Sequence, residues 1–89
     1  MVFKFQMAAQ AKNDLQTLDE SVARRIAIKL RFFAARDNPL HFAKRLKNSA
    51  YGDFRFRVGD YRIIFDCDAR GTITILTILR IRHRREAYD

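Results

Sequence analysis

One stretch of the sequence, residues 54–65, constrains the fold more than any other. Apolar side chains at every second position flank Gly59-Asp60, a dipeptide typical of a tight hairpin turn. A turn there sets one antiparallel register, in which Val58 faces Tyr61, Arg57 faces Arg62, Phe56 faces Ile63 and Phe54 faces Phe65. Because successive side chains of a strand point to opposite faces, one face of this hairpin is apolar and belongs in a core.

The other face of the hairpin carries Arg55, Arg57 and Arg62. Like charges that face each other across two strands destabilise a sheet, so the expected pair of Arg57 and Arg62 is unfavourable for folding alone. A bound polyanion would remove this repulsion. The alternative interpretation is a solvated sheet face without a ligand.

The residues before the hairpin predict one strand and two helices. Residues 2–7 alternate with period two, and apolar residues then recur three or four positions apart, first over residues 8–18 and again over 22–33. Asp19 is the expected N-cap of the second helix, and Asp37-Asn38-Pro39 ends that helix. The two helices are expected to form a hairpin that packs on a sheet.

The remaining residues complete a single domain. Residues 40–52 lack a clear period and are predicted to be loop with a short helical turn. After a second turn at residues 68–71, the β-branched run of 72–81 is apolar on both faces, which indicates an interior strand. The expected fold is therefore α+β, in the order β-α-α-β-β-β, with a helical hairpin on a small, mostly antiparallel sheet. Since no linker or repeat divides the chain, residues 1–89 form one domain.

The charge of the chain favours an anionic partner. Lys and Arg number 18 against 10 Asp and Glu, a formal net charge of +8, and such an excess is typical of proteins that bind nucleic acid, an acidic protein or a membrane surface. Every basic residue after position 50 is Arg, whose planar guanidinium binds phosphate with two hydrogen bonds. A second basic cluster at residues 80–85 ends the last strand, and an antiparallel last strand brings it back beside the Gly59 turn.

Several classes of protein are excluded by what the sequence lacks. The single cysteine, Cys67, can form neither an internal disulfide nor a thiolate metal site. The motifs of nucleotide hydrolases, zinc peptidases and serine hydrolases are missing, so no metal or cofactor is expected. No apolar run reaches the roughly 18 residues of a membrane span, and the first residues do not read as a signal peptide. A cytoplasmic location without membrane contact is therefore expected.

Three segments of the sequence are similar to those of a known family. They are Leu46-Lys47, the run from Tyr51 to Phe65 with its R-x-R-x-G-D-Y-R-I-I hairpin, and the ending His83-Arg84-Arg85-Glu86-Ala87-Tyr88. Together they resemble the RelE/ParE toxins of bacterial and archaeal toxin–antitoxin pairs. The resemblance covers essentially the whole chain, and the two-helix start agrees with the family's fold.

Resemblance to the RelE branch implies a ribosome-dependent mRNA endonuclease that an acidic antitoxin holds inactive. Such a toxin would enter the A site of the 70S ribosome and cut mRNA there, with the RNA 2′-hydroxyl attacking its own adjacent phosphate. That reaction needs a base for the hydroxyl, an acid for the leaving 5′-oxygen and cations for the charge on the phosphorane.

The resemblance also assigns candidate roles to individual residues. Its candidate catalytic residues are Arg55, Arg57, Arg62, His83, Arg84 and Tyr88, and its candidate RNA- or ribosome-binding residues are Lys44, Arg45, Lys47, Arg80, Arg82 and Arg85. Arg55 and Arg57 stand where many relatives carry lysines, and they would stabilise charge because Arg stays protonated. Histidine titrates near neutrality, so His83 is the best candidate for proton transfer, with Tyr88 next.

Two other functions remain open at the level of the sequence. A ParE-type toxin inhibits DNA gyrase instead of cleaving RNA; it shares the fold but usually lacks the C-terminal His, Arg and Tyr set. A basic nucleic-acid-binding domain without catalysis is equally compatible with a net charge of +8.

Overall fold

The computed structural model describes residues 2–48 and 50–86, without the side chain of Glu86. Its strands are β1 (Val2–Met7), β2 (Ala43–Arg45), β3 (Phe54–Val58), β4 (Tyr61–Arg70) and β5 (Ile73–His83), its helices are α1 (Ala9–Gln16) and α2 (Glu20–Ala34), and short 3-10 turns cover Pro39–Phe42 and Arg84–Glu86. The helices pack on one face of a mixed sheet with the strand order β1-β5-β4-β3-β2. The predicted α+β class and helical hairpin are confirmed. Within the described ranges, no helix has the length and apolar character needed to cross a membrane.

The sheet is mostly antiparallel, as predicted, because only β1 and β5 run parallel. The register of the β3–β4 hairpin is the expected one: Phe54 faces Phe65, Phe56 faces Ile63, Arg57 faces Arg62 and Val58 faces Tyr61. Gly59 in the turn has a φ of 58°, a left-handed conformation that glycine adopts without steric cost. Strand β5 lies between β1 and β4, which confirms its interior position.

A stack of phenylalanine rings fills the space between the helices and the sheet. Phe33 of α2 stacks on Phe56 with the ring centroids 4.4 Å apart, and Phe56 stacks on Phe65 at the same distance. Phe56 and Phe65 are fully buried, and so is Ala11 of α1, whose small side chain lets that helix approach the sheet. Burial of each large apolar side chain contributes about 1.5–3 kcal/mol, so this stack is a main source of stability.

The structure confirms the short helical turn predicted near the start of residues 40–52 and corrects the loop prediction by one strand. A 3-10 turn at Pro39–Phe42 leads into the edge strand β2, in which Lys44 faces Arg55 of β3. Strand β2 is too short to show a period in the sequence. It forms because β3 offers a free edge, a tertiary cause that local patterns do not encode.

The second turn also lies later than predicted. Strand β4 continues through Arg70, and the turn falls at Gly71-Thr72 instead of residues 68–71. Asp68 and Ala69 are weak strand formers, but their pairing with β5 keeps both in the ladder. Asp19 does occupy the N-cap position of α2, although its side chain makes no capping hydrogen bond.

An irregularity in β5 decides which side chains at its end face the helices. Leu79 is an extra residue that faces no residue of β4. As a result Ile78 and Ile81 both point into the core, which strict alternation would forbid. Arg82 then lies on the opposite face of the sheet.

Candidate functional site

Three arginines line up across three neighbouring strands on the sheet face opposite the helices. Arg57 of β3 faces Arg62 of β4, and Arg62 in turn faces Arg82 of β5. Since neighbouring strands lie about 4.8 Å apart, the three side chains start from backbone positions within about 10 Å of one another. We call these three residues the arginine row.

The two hairpin arginines of the row are held in different ways. Arg57 is exposed and forms no salt bridge with any residue that the structure describes. Arg62 is half-buried, and its Nη1 donates to the carbonyl oxygens of Gly59 at 3.4 Å and Tyr61 at 3.3 Å. Contacts of that length are weak, and they orient the Arg62 guanidinium toward the hairpin turn.

Arg55 lies on the same face, further from the hairpin turn, and belongs to a second basic group. A cleft of about 260 Å³ is lined by Arg55 together with Lys44, Arg45 and Lys47. The guanidinium of Arg45 lies 4.8 Å from the ring centroid of Phe54. The structure thus brings three of the predicted RNA- or ribosome-binding residues together with one predicted catalytic residue.

Arg80, which the sequence placed among the RNA- or ribosome-binding residues, is engaged within the fold. Its Nε and Nη2 donate to the two carboxylate oxygens of Asp14 in α1, at 2.8 and 3.2 Å. A charge-assisted pair with two hydrogen bonds offsets the positive charge of the guanidinium. Arg80 therefore contributes less to the basic face than its neighbours in sequence.

The carboxylate of Asp14 also accepts a hydrogen bond from a backbone amide of β5 that lies beyond the end of β1. Strand β1 ends at Met7, and further along β5 the amide of Ile81 donates to Asp14 Oδ2 at 2.9 Å. Burial raises the pKa of Asp14, but the hydrogen bonds from Arg80 and Ile81, together with the charges of Arg80 and Arg82, lower that pKa below its usual value. Asp14 thereby stabilises the end of β5, which carries Arg82.

The end of β5 returns to the hairpin turn, as predicted, but His83 lies on the other face. His83 faces Tyr61 in the ladder, and the amide of Arg84 donates to the carbonyl oxygen of Asp60 at 2.6 Å. The imidazole lies edge-on to the Tyr61 ring with the centroids 5.3 Å apart, on the helix side, and its Nδ1 accepts a hydrogen bond from the Arg85 amide at 3.3 Å. The register thus places His83 and the arginine row on opposite faces of the sheet, yet Arg82 of the row and His83 line the same cleft at the end of β5.

The arginines after β5 are close to the hairpin turn but loosely held. Arg84 and Arg85 are exposed, and Nε of Arg84 lies 3.9 Å from Oδ1 of Asp60. Both side chains of that contact are largely exposed, so it contributes little to stability. Tyr88, the last candidate catalytic residue, lies outside the described residues.

Arg25 of α2 is a basic residue beside the site that the sequence did not single out. Its guanidinium lies against the hairpin turn, so close that a Cβ at Gly59 would overlap it. It forms no salt bridge within the described part of the chain. Its position depends on how α2 crosses the hairpin, which no local sequence signal reveals.

The sheet face opposite the helices presents cationic side chains, which can bind anions. Guanidinium groups bind phosphate oxygens through charge-assisted hydrogen bonds and stabilise negative charge that develops on them. Among the described residues, no group of three or more His, Cys, Asp or Glu side chains could hold a metal ion.

Comparison with known proteins gives a family and a fold. Residues 5–88 match the model of the ParE toxin of the type II toxin–antitoxin system parDE. No curated protein gives a significant match. Among solved structures, the chain is similar to the RelBE2 toxin–antitoxin complex from Mycobacterium tuberculosis, with 25% identity, a TM-score of 0.71, and coverage of 94% of this chain and 100% of that one.

Two archaeal complexes have the same fold. The RelE–RelB complex from Pyrococcus horikoshii is 23% identical, with a TM-score of 0.67 and coverage of 98% of this chain and 100% of that one. The RelB–RelE complex from Methanococcus jannaschii is 22% identical, with a TM-score of 0.61 and coverage of 90% of this chain and 91% of that one. At such identities the similarity establishes the fold.

Proposed function

This chain belongs to the ParE toxin family of type II toxin–antitoxin systems, and we propose that it is a toxin that cleaves mRNA on the ribosome. The observation that carries this proposal is the arginine row, in which Arg57, Arg62 and Arg82 stand side by side on one face of the sheet. Guanidinium groups that stand side by side can hold neighbouring phosphate oxygens through charge-assisted hydrogen bonds. A ligand with closely spaced phosphates fits this arrangement.

An RNA phosphodiester fits the chemistry of this face. In the proposed reaction the 2′-hydroxyl attacks the adjacent phosphorus and the bond from phosphorus to the 5′-oxygen breaks, which leaves a 2′,3′-cyclic phosphate and a 5′-hydroxyl. Negative charge increases on the non-bridging oxygens of the phosphorane, where the guanidinium groups of the row donate charge-assisted hydrogen bonds. Because Arg stays protonated, its role is binding and charge stabilisation.

The proposed cleavage also requires two proton transfers. The 2′-hydroxyl must lose a proton and the 5′-oxygen must gain one. We assign these steps to His83 and Tyr88. His83 follows Arg82 directly at the end of β5 and lines one cleft with it, so a phosphodiester bound in that cleft is within reach of both the Arg82 guanidinium and the imidazole. Arg84, beside the hairpin turn, adds a further cation there.

An acidic antitoxin and the 70S ribosome with its mRNA are the proposed partners. Three solved structures that are similar to this chain are toxin–antitoxin complexes, and a net charge of +8 favours an acidic protein partner. The same charge favours RNA, whose phosphates dominate non-specific affinity. Action on translating ribosomes places the toxin in the cytoplasm.

Inhibition of DNA gyrase is the second candidate function. It is favoured by one observation, the match of residues 5–88 to the ParE family model. A non-catalytic basic domain that only binds nucleic acid is the third. The three candidates differ in their products, so direct assays separate them.

The decisive experiment adds the purified toxin to ribosomes programmed with a defined mRNA, and in parallel to a gyrase assay. We expect mRNA cleavage at the codon in the A site, and we expect Arg62→Ala and Arg84→Ala each to lower its rate by about 100-fold or more. Arg70→Ala is the matched control. Arg70 is exposed at the far end of β4, where its Nε donates to Oδ2 of Asp68 at 2.7 Å.

The outcomes distinguish the three functions. DNA breaks that require gyrase, without mRNA cleavage, would establish the second candidate. RNA binding without either product would establish the third. Full mRNA cleavage by both Arg62→Ala and Arg84→Ala would refute the proposed site, provided that circular dichroism shows all variants folded.

A further inference from the structure

Two exposed aromatic rings stand next to each other at the end of α2. Phe32 of α2 is 41% exposed and Phe42 of the 3-10 turn is 46% exposed, and their ring centroids are 5.8 Å apart in an edge-to-face arrangement. Isolated exposed apolar residues are common, but a contacting aromatic pair is more typical of an interaction surface.

Cations on α2 continue from this pair along the same side of the helix. Arg25, Lys29, Phe32 and Arg36 follow each other at steps of four, three and four residues, the spacing that keeps side chains on one helix face. We call these four residues with Phe42 the α2 stripe. At one end of the stripe Arg25 lies against the hairpin turn, and at the other end lies the aromatic pair.

The stripe is positively charged and lacks internal acidic partners. Arg25, Lys29 and Arg36 are exposed, and none of them forms a salt bridge with the residues seen in the structure. By contrast Arg24, on another side of the same helix, pairs with Glu20 at 2.8 Å. The positive charge of the stripe is therefore available to a partner.

The π-face of Phe32 is already occupied by cations. Nζ of Lys29 lies 5.4 Å and Cζ of Arg36 lies 4.4 Å from the Phe32 ring centroid, within the range of cation–π contacts. A nucleobase needs an open ring face for stacking. The exposed parts of Phe32 and Phe42 suit aliphatic side chains instead, which points to a peptide and not to RNA.

The aromatic pair is also held rigidly. Phe42 packs against Phe33 with the ring centroids 5.3 Å apart, and Phe33 is 5% exposed and belongs to the phenylalanine stack of the core. Side chains that are fixed before binding lose little conformational entropy when a partner covers them. A rigid apolar pair beside three cations fits a segment with apolar residues and carboxylates on one side.

We propose that the α2 stripe binds an acidic amphipathic segment of the antitoxin, whose apolar side chains cover Phe32 and Phe42 while its Asp or Glu residues meet Lys29, Arg36 and Arg25. The inference rests on the antitoxin partnership proposed above. The stripe lies on the helix side of the sheet and the arginine row lies on the other. A segment on the stripe therefore anchors the antitoxin without covering the row, and inhibition needs a second contact.

The test compares two charge-reversed variants of the same helix. Lys29→Glu/Arg36→Glu changes the stripe, and Arg24→Glu/Arg31→Glu changes exposed residues outside it by the same net charge. Each toxin variant, purified and checked by circular dichroism, is titrated calorimetrically with the antitoxin encoded beside the toxin gene. We expect the stripe variant to bind about tenfold more weakly or worse, and the control to stay within about threefold of wild type. Phe32→Ser provides an uncharged variant for which the same loss is expected.

Each possible result of these titrations supports or overturns a stated part of the proposal. Equal losses in both double variants would mean that net charge alone attracts the antitoxin, and unchanged affinity in the stripe variants would place the antitoxin elsewhere; either result overturns the α2 stripe while the antitoxin partnership stands. No binding by wild-type toxin would overturn the partnership itself. If the stripe variants lose affinity for a single-stranded RNA oligonucleotide but not for the antitoxin, the stripe binds RNA.

Discussion

The side chain of Asp14 connects two elements that lie far apart in the sequence. It connects α1 to the end of β5 through Arg80 and the Ile81 amide. These hydrogen bonds and the nearby positive charges outweigh burial, so its pKa lies below that of an ordinary Asp. A carboxyl group with a lowered pKa in the folded state stabilises that state above its unfolded pKa, near 3.9, and loses this effect as the pH falls through the folded value.

Asp14→Asn should therefore destabilise the protein at neutral pH and not in acid. Asn can still accept a hydrogen bond from the Ile81 amide but loses the ion pair with Arg80, and we expect a loss of about 1 kcal/mol at pH 7. Urea unfolding from pH 7 down to the acid limit measures the difference, which should shrink to nothing below the folded pKa of Asp14. Asp68→Asn, in an exposed pair with Arg70, should change stability little at any pH. A constant difference between wild type and Asp14→Asn at every pH would contradict the assignment.

Cys67 should be slow to react in the native protein. Burial, and then the charges of Asp53 and Asp68, raise the pKa of its thiol, and the thiolate is the reactive form. We expect iodoacetamide at pH 7.5 to modify the folded protein more slowly than the same chain in urea, with mass spectrometry as the readout. Equal rates in the two states would show that the thiol environment is not the one described.

Among the elements, the β3–β4 hairpin carries a charge conflict that can be measured. Arg57 faces Arg62, so replacing Arg57 with Thr should raise the free energy of unfolding by about 0.2–1 kcal/mol while it weakens the proposed RNA cleavage. Lys4→Thr is the matched control, because Lys4 faces Ile75 and not a cation. If Lys4→Thr stabilises the protein as much as Arg57→Thr does, the gain comes from the strand preference of Thr and not from relief of repulsion.

Gly52 lies in the loop before β3 and Gly59 lies in the hairpin turn, and comparing alanine substitutions at the two positions tests how tightly that loop packs. A Cβ at Gly52 would lie 2.7 Å from Cγ2 of Ile64, which is 1% exposed, whereas a Cβ at Gly59 would meet the mobile end of Arg25. Both glycines have positive φ, 149° and 58°. We expect Gly52→Ala to cost about 2 kcal/mol or more and Gly59→Ala about 1 kcal/mol, measured by urea unfolding. The reverse order would mean that the loop does not press on Ile64.

The elements also show what local sequence could and could not predict. The hairpin register follows from turn chemistry and period two alone, and the structure reproduces every pair. Strand β2 was missed because its cause is the free edge of β3. The place of Arg82 in the arginine row depends on the extra residue Leu79, and a sequence gives no sign of where such an irregularity falls.

At the scale of the whole molecule, the sheet divides two kinds of surface. The face opposite the helices carries the arginine row, and the helix side carries the α2 stripe with its aromatic pair. The net charge of +8 follows from composition. How the cations divide between the two faces depends on the way α2 crosses the hairpin, which composition does not reveal. Arg25, which lies at the boundary, could only be found in three dimensions.

The charge of the arginine row predicts how the affinity for RNA changes with salt concentration. Each phosphate that a cation neutralises on a single strand contributes a slope of about −0.7 to log K against log salt. Three contacts in the row predict about −2 for a short single-stranded RNA, and Arg57→Thr should make the slope shallower by about 0.7. Fluorescence anisotropy over a salt series measures both slopes. An unchanged slope in Arg57→Thr would mean that Arg57 does not touch phosphate.

The parallel pairing of β1 with β5 ties the beginning of the chain to its end. Among the described strands, β1 has no neighbour other than β5, so residues 2–7 can join the sheet only after residues 73–78 are in place. Long loops of this kind close late, because their entropy must be lost before the contacts form. Arg82 comes later still. A nascent polypeptide thus has no complete arginine row until residue 82 has been translated and β5 has paired with β4.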